Sequence, residues 1–240
     1  MADAVSGAVS AAPRRTGRLF YLAASAAIVA TVFIGFAPTY YLKGYFGKPP
    51  LLPLLHVHGM VFTGWVLLFV TQVALIARRR VDLHRRLGVA GAWWAGVLVV
   101  IGLAAALDSL RRHYAAGEFG VLPFLIVPLG DMLTFAALAG AGLWLRHKPE
   151  AHKRLMFLAT VTLLSAAVAR WPLENMQAAT NFYPVIDFFL IAGCLYDLVS
   201  RRRVHSVYLW AGPLIVAFQW LRLAAAGSGA WLAFARALAR

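Results

Sequence analysis

The chain has 240 residues, 62% of them apolar and 13% charged, with eight Trp and fifteen Phe. That balance excludes an ordinary water-soluble globule and points to a protein that lives in lipid. A formal charge of +14 would suggest nucleic acid in a soluble chain. Here the basic residues sit in short loops between apolar runs, so they report membrane topology, and nucleic acid is excluded as a partner.

In chain order, residues 1–17 (MADAVSGAVSAAPRRTG) are small and polar and predict a disordered tail. Seven apolar runs follow, at about 19–41, 54–77, 87–107, 121–145, 155–171, 183–199 and 206–223. Each approaches the ~20 residues needed to cross a bilayer core of roughly 30 Å. The first run is too long for a signal-peptide core and ends in FAPTYY without a small-residue cleavage site, so it reads as an uncleaved span. The single cysteine, Cys194, falls in the sixth run and has no intrachain partner. At the end, GAWLAFARALAR (229–240) places Trp231, Phe234 and Leu238 at helical spacing, predicting an amphipathic segment along the outer surface. The fold expectation is all-α: a polytopic bundle of seven transmembrane helices forming one domain over residues 18–240.

Orientation follows from the arginines. With the N-terminus inside, the inner segments hold Arg14, Arg15, Arg18, Arg78, Arg79, Arg80, Arg85, Arg86, Arg146, Lys148, Lys153, Arg154, Arg201, Arg202 and Arg203, most of the 23 basic residues. The positive-inside rule then gives N-in and C-out, with anionic lipid headgroups as partners on the inner face. Three of these segments resemble one another: ARRRVDLHRRLG (77–88), LRHKPEAHKRLM (145–156) and SRRRVHSVYLW (200–210). Aligning the first two pairs Arg78 with Arg146, Asp82 with Glu150, His84 with His152 and Arg86 with Arg154. The third fits after a two-residue deletion, pairing Arg201–Arg203 with Arg78–Arg80. Spans 2–3, 4–5 and 6–7 therefore read as three hairpin repeats added to span 1, with a shared centre as the place for a site.

The repeat also serves as a ruler. Residues about 15 positions from the inner arginines lie roughly 22 Å deep, in the outer half of the bilayer. Asp131, Asp187, Thr63, Arg170 and Gln219 all fall at that level. Ionisable groups there cost at least about 2.5–3.5 kcal/mol each, so they should face the interior and pair. Asp131 and Asp187 with Arg170 leave a surplus carboxylate, unless Arg222 reaches in or one Asp is protonated. Such an arrangement suits a proton relay, a cation site or a small-solute site. Its bland alternative is a salt-bridge network locking spans 4, 5 and 6.

The histidines are the other candidates. His84, His152 and His205 fall in the first turn of a span, where the helix dipole and nearby arginines keep imidazole neutral and able to bind a metal or haem iron. An interfacial residue bonded to loop backbone or lipid phosphate is the bland reading for each. In HVHG, His56 and His58 point about 200° apart on a helix of 3.6 residues per turn. His58 is the one expected to face the centre, above Phe62, Trp65, Phe69 and Gln72. His58, Asp131 and Asp187 then form a candidate metal set.

The placement of His58, His84 and His152 at the starts of spans 2, 3 and 5 resembles cytochrome b561-type membrane proteins. That resemblance covers residues 54–172. It implies electron transfer from a reductant such as ascorbate or quinol, with His84 and His152 holding an inner haem b. The chain departs from the pattern where Asp131 stands opposite His58. The HxHG…LHRRLG stretch is also similar to uncharacterised multi-pass proteins of bacterial inner membranes, which implies the fold and setting. Three readings therefore stand: b561-like oxidoreductase chemistry with haem or a transition metal, a proton-coupled transporter or small-solute binder, and a structural subunit of a homo-oligomer or larger membrane complex. Small residues such as Gly88, Gly91, Ala95, Gly96 and Gly102 suit the last through close helix packing.

Overall fold

A computed structural model describes residues 17–240, and the tail reading at residues 1–16 lies outside them. Seven helices are long and apolar enough to cross a membrane: α1 (Gly17–Tyr41), α2 (Pro53–Ala77), α3 (Val81–Ala115), α4 (Val121–Trp144), α5 (Pro149–Val168), α6 (Ala179–Arg201) and α7 (Ser206–Ala225). A shorter helix, α8 (Gly229–Ala239), closes the chain. There is no strand among the described residues. The all-α expectation holds, and the protein is an integral, multi-pass membrane protein.

Local chemistry sets the helix ends. Pro53 and Pro149 open α2 and α5, where a missing N–H costs nothing because first-turn amides have no intrahelical acceptor. Pro38 lacks the N–H of a regular turn, and α1 widens into a π turn over Ala37–Tyr41. The turns after α2 and α6 each place an arginine in the left-handed region, Arg79 at φ 60° and Arg202 at φ 58°. These two residues are paired in the alignment of the first and third arginine stretches.

Burial singles out α5. It has the least apolar of the seven spanning windows and is also the most buried. A helix surrounded by protein need not be apolar on every face, and α5 buries Arg154, Thr160, Thr162 and Ser165 beside Leu155, Phe157, Leu158 and Val161. The outer helices show the reverse pattern. Trp93, Trp144, Leu67, Val100, Phe188 and Leu214 are exposed, an apolar surface suited to lipid.

Close approaches fix the packing. A Cβ on Gly35 would strike the backbone of Ala167, so α1 rests directly on the last turn of α5. Trp65 packs edge-on against Phe135 with ring centroids 5.0 Å apart, and its Nε1 donates to Thr160 Oγ1 at 3.3 Å. The C-terminal segment is helical, as its spacing predicts, and packs one face on the bundle. Ala235 and Ala239 are buried in a small second core with Leu110, Leu122 and Leu125. Trp231 Nε1 donates to Leu122 O at 3.0 Å, and Arg111 Nε to Leu238 O at 3.2 Å. The small alanines permit contact with α3 and α4, and bulky Phe234 is left facing outward.

Candidate functional site

The far end of the bundle, opposite the arginine-rich loops, contains the polar site. Asp131 is buried on α4 and accepts from Arg222 Nη1 on α7 at 2.9 Å. Its second oxygen accepts from Ser165 Oγ on α5. The same Arg222 nitrogen donates to Val127 O at 3.0 Å, and Nε reaches Phe218 O at 3.3 Å. The guanidinium lies 5.4 Å from the Tyr183 ring and 4.9 Å from the Phe218 ring, within cation–π range. Gly130 is required here, because a Cβ would occupy the space of the Arg222 side chain.

Two of the three helices that supply this site, α4 and α5, are interrupted beside it. α4 has a turn at Leu125, between Pro123 and Pro128. α5 loses its regular pattern at Leu163 and Leu164, with neither proline nor glycine there to account for it. Tighter bonds replace the regular ones, Leu163 N to Thr160 O at 3.2 Å and Leu164 N to Val161 O at 3.0 Å. Ser165 begins the next turn and carries the hydroxyl that meets Asp131. A small cavity of about 10 Å³ sits against these groups, lined by Asp131, Ser165, Tyr183, Gln219, Arg222 and neighbours. Tyr183 Oη and Gln219 Oε1 are buried without a hydrogen-bond partner, as is one Asp187 oxygen. Asp187 lies one turn along α6 from Tyr183 and faces the Gln219 side chain.

The expected polar layer is therefore partly assembled. Asp131, Asp187 and Gln219 come together across α4, α6 and α7, but the cation is Arg222. Arg170 corrects the expectation: its Nη1 donates to Ala166 O at 2.6 Å, and its guanidinium lies 5.0 Å from the Phe36 ring. The interruption at Leu163–Leu164 precedes Arg170, so counting along a straight helix misplaced it. Thr63 is also diverted, pairing with Tyr41 Oη at 2.8 Å. His58 stacks on Phe62 with ring centroids 4.1 Å apart and does not join Asp131 and Asp187. The metal set of His58, Asp131 and Asp187 is not formed, and no group of three His, Cys, Asp or Glu side chains converges among the described residues.

At the arginine-rich end, His84 and His152 do meet, with ring centroids 6.2 Å apart and planes at 77°. His152 Nδ1 bonds to Gly142 O at 2.8 Å, which protonates Nδ1 and leaves Nε2 as a free lone pair. The Gln72 amide satisfies its surroundings when its nitrogen donates to His84 Nδ1 at 2.6 Å and its oxygen accepts from Gly88 N at 3.1 Å. Each imidazole thus has its Nδ1 held by a protein partner at this end of the bundle.

A second charged cluster went unrecognised in the sequence. Arg154, fully buried on α5, donates to Asp197 on α6 through Nε at 2.8 Å and through Nη2. Its Nη1 donates to Glu150 O at 2.7 Å and to Glu150 Oε2 at 2.8 Å. Glu150 also accepts from Lys153 at 2.8 Å and from Arg201. Asp197 receives the backbone N–H of His205 at 3.0 Å, joining α7 to the cluster. Arg154 looked like one more topological arginine. The available signal was Asp197, a carboxylate inside an apolar run. His205 caps α7 by accepting from Val207 N at 3.2 Å. Burial, together with Arg154 and Arg201, depresses its pKa and keeps that acceptor unprotonated. No family model, curated protein or solved structure matches this chain.

Proposed function

We propose that this protein is a proton-linked membrane carrier or binder of small polar solutes, working at the Asp131–Ser165–Arg222 site. The observation that carries the reading is the interruption of α5 at Leu163–Leu164, directly before the serine that holds Asp131. Broken helices within a membrane are tolerated where they line a cavity, and they place freed backbone and side-chain polar groups around a substrate. Asp131 with Arg222 presents paired charges, while Asp187 is the surplus carboxylate whose protonation would couple to movement of α6 against α7. Ser165 stands 11 positions after Arg154 along α5, about 16 Å from the Arg154–Asp197 cluster. Phe157, Leu158 and Val161 close that interval, so access alternates only if these apolar residues part.

The b561-like redox reading has weaker support, because only the inner His84–His152 pair meets, while His58 stacks on Phe62 with no second histidine beside it. The surface at the arginine-rich loops suits anionic headgroups of a bacterial inner membrane, which gives the N-in orientation its physical basis.

The test is solute uptake and pH-gradient dissipation in proteoliposomes, screened over small polar solutes, for wild type and Asp131→Asn. Uptake driven by a pH gradient and lost in the variant supports the carrier. Uptake indifferent to both the gradient and the substitution refutes it.

A further inference from the structure

We infer that Asp187, Tyr183 and Gln219 form a site for one monovalent cation, a proton or Na⁺, beside the Asp131–Arg222 pair. The inference deepens the carrier reading by naming its coupling species, but binding itself requires no transport.

The argument rests on what is missing around these groups. Tyr183 is 1% exposed and Gln219 is 3% exposed, and both line the small cavity. Their unsatisfied atoms, Oη and Oε1, are oxygens, and so is the buried unpartnered Asp187 Oδ1. An amide oxygen and a carboxylate oxygen can only accept. The three oxygens share only the one proton of the Tyr183 hydroxyl and remain short of a positive or proton-donating species. Charge gives the same answer. Arg222 balances Asp131, and among the described residues no salt bridge reaches Asp187, leaving one uncompensated negative charge within the membrane. Protonating Asp187 or placing one monovalent cation there restores neutrality.

Size then limits the ligand. The cavity of about 10 Å³ accommodates roughly one water-sized sphere. A dehydrated Na⁺ or a proton-bearing water fits, whereas a divalent ion would overcompensate the single charge. Oxygen-only donors are the chemistry that hard cations prefer. Arg222 repels a cation at the Asp131 side, so the ion belongs at the Tyr183 and Gln219 end of the cavity, next to Asp187, which does not itself line it.

The test is thermal unfolding of the full chain in lipid nanodiscs, in NaCl against choline chloride at equal ionic strength and across pH. If Na⁺ is the ligand, saturating NaCl raises Tm by about 2–4 °C over choline. Tyr183→Phe, which keeps the ring, then weakens half-saturation by about tenfold. If the proton is the ligand, NaCl and choline behave alike. The wild-type Tm then falls as pH rises through the titration of Asp187, and Asp187→Asn removes that pH dependence. Gln219→Leu serves if Asp187→Asn does not fold, and is expected to reduce whichever response is seen. A Tm indifferent to Na⁺, with a pH dependence unchanged by both Asp187→Asn and Gln219→Leu, overturns the site. Binding without solute uptake removes the carrier reading alone, and uptake without binding removes this inference alone.

Discussion

Replacing Asp197 by Asn leaves the Arg154 guanidinium buried without its carboxylate. Both side chains of the pair are 0% exposed. Breaking such a pair by removing one partner costs about 3–5 kcal/mol, because the remaining charge stays desolvated. Glu150 offsets part of this through Arg154 Nη1, but its carboxylate is 47% exposed and shared with Lys153 and Arg201. The loss should therefore fall near the lower bound, about 3 kcal/mol. The double variant Arg154→Met/Asp197→Leu removes both charges and keeps side-chain volume. It should be less destabilised than either single variant, giving a coupling energy of about 3 kcal/mol between the two positions. Equilibrium unfolding in lipid or mild detergent measures all four corners of the cycle. An Asp197→Asn variant within about 1 kcal/mol of wild type would refute the reasoning, as would a double variant showing the full sum of the single losses.

Other expectations concern the far end and the interfaces. Gly130→Ala should destabilise by about 1–3 kcal/mol and impair uptake, since its Cβ displaces Arg222 from Asp131. Gly140→Ala, on the same helix with open space around it, should be neutral or slightly stabilising in the same unfolding assay. His205 has a depressed folded-state pKa, so the unfolded chain takes up a proton first as pH falls through about 6.5. Stability should decline below that point. His205→Asn, which can still cap α7 but does not titrate, should flatten the decline in pH-resolved melting curves. Under the carrier reading purified protein should show no Soret band. A band that disappears in His152→Ala would restore the redox reading.

The extent of the fold was legible because the membrane imposes a length and a polarity on every crossing segment. Residues 54–77 and 183–199 needed only hydropathy to be recognised as helices. α3 extends well beyond its apolar run, to Val81 and Ala115, because helix hydrogen bonding continues through polar residues outside the hydrocarbon. The candidate site was legible only as a depth. Counting from the arginines put Asp131, Asp187 and Gln219 at one level, since rise per residue is constant along an unbroken helix. The same count failed for Arg170 beyond the interruption in α5, and it carried no information on azimuth for Thr63 or His58.

Composition and periodicity thus determined that the described residues hold seven segments able to cross a membrane, and which residues were too costly to leave facing lipid. Only tertiary structure decided how those residues pair: Arg222 with Asp131, Arg154 with Asp197, and Asp187 with neither arginine. The physical reason is that helix depth is a one-dimensional property, additive along the chain. Pairing depends on rotation and neighbour choice, which the packing of α4, α5, α6 and α7 around one another sets collectively.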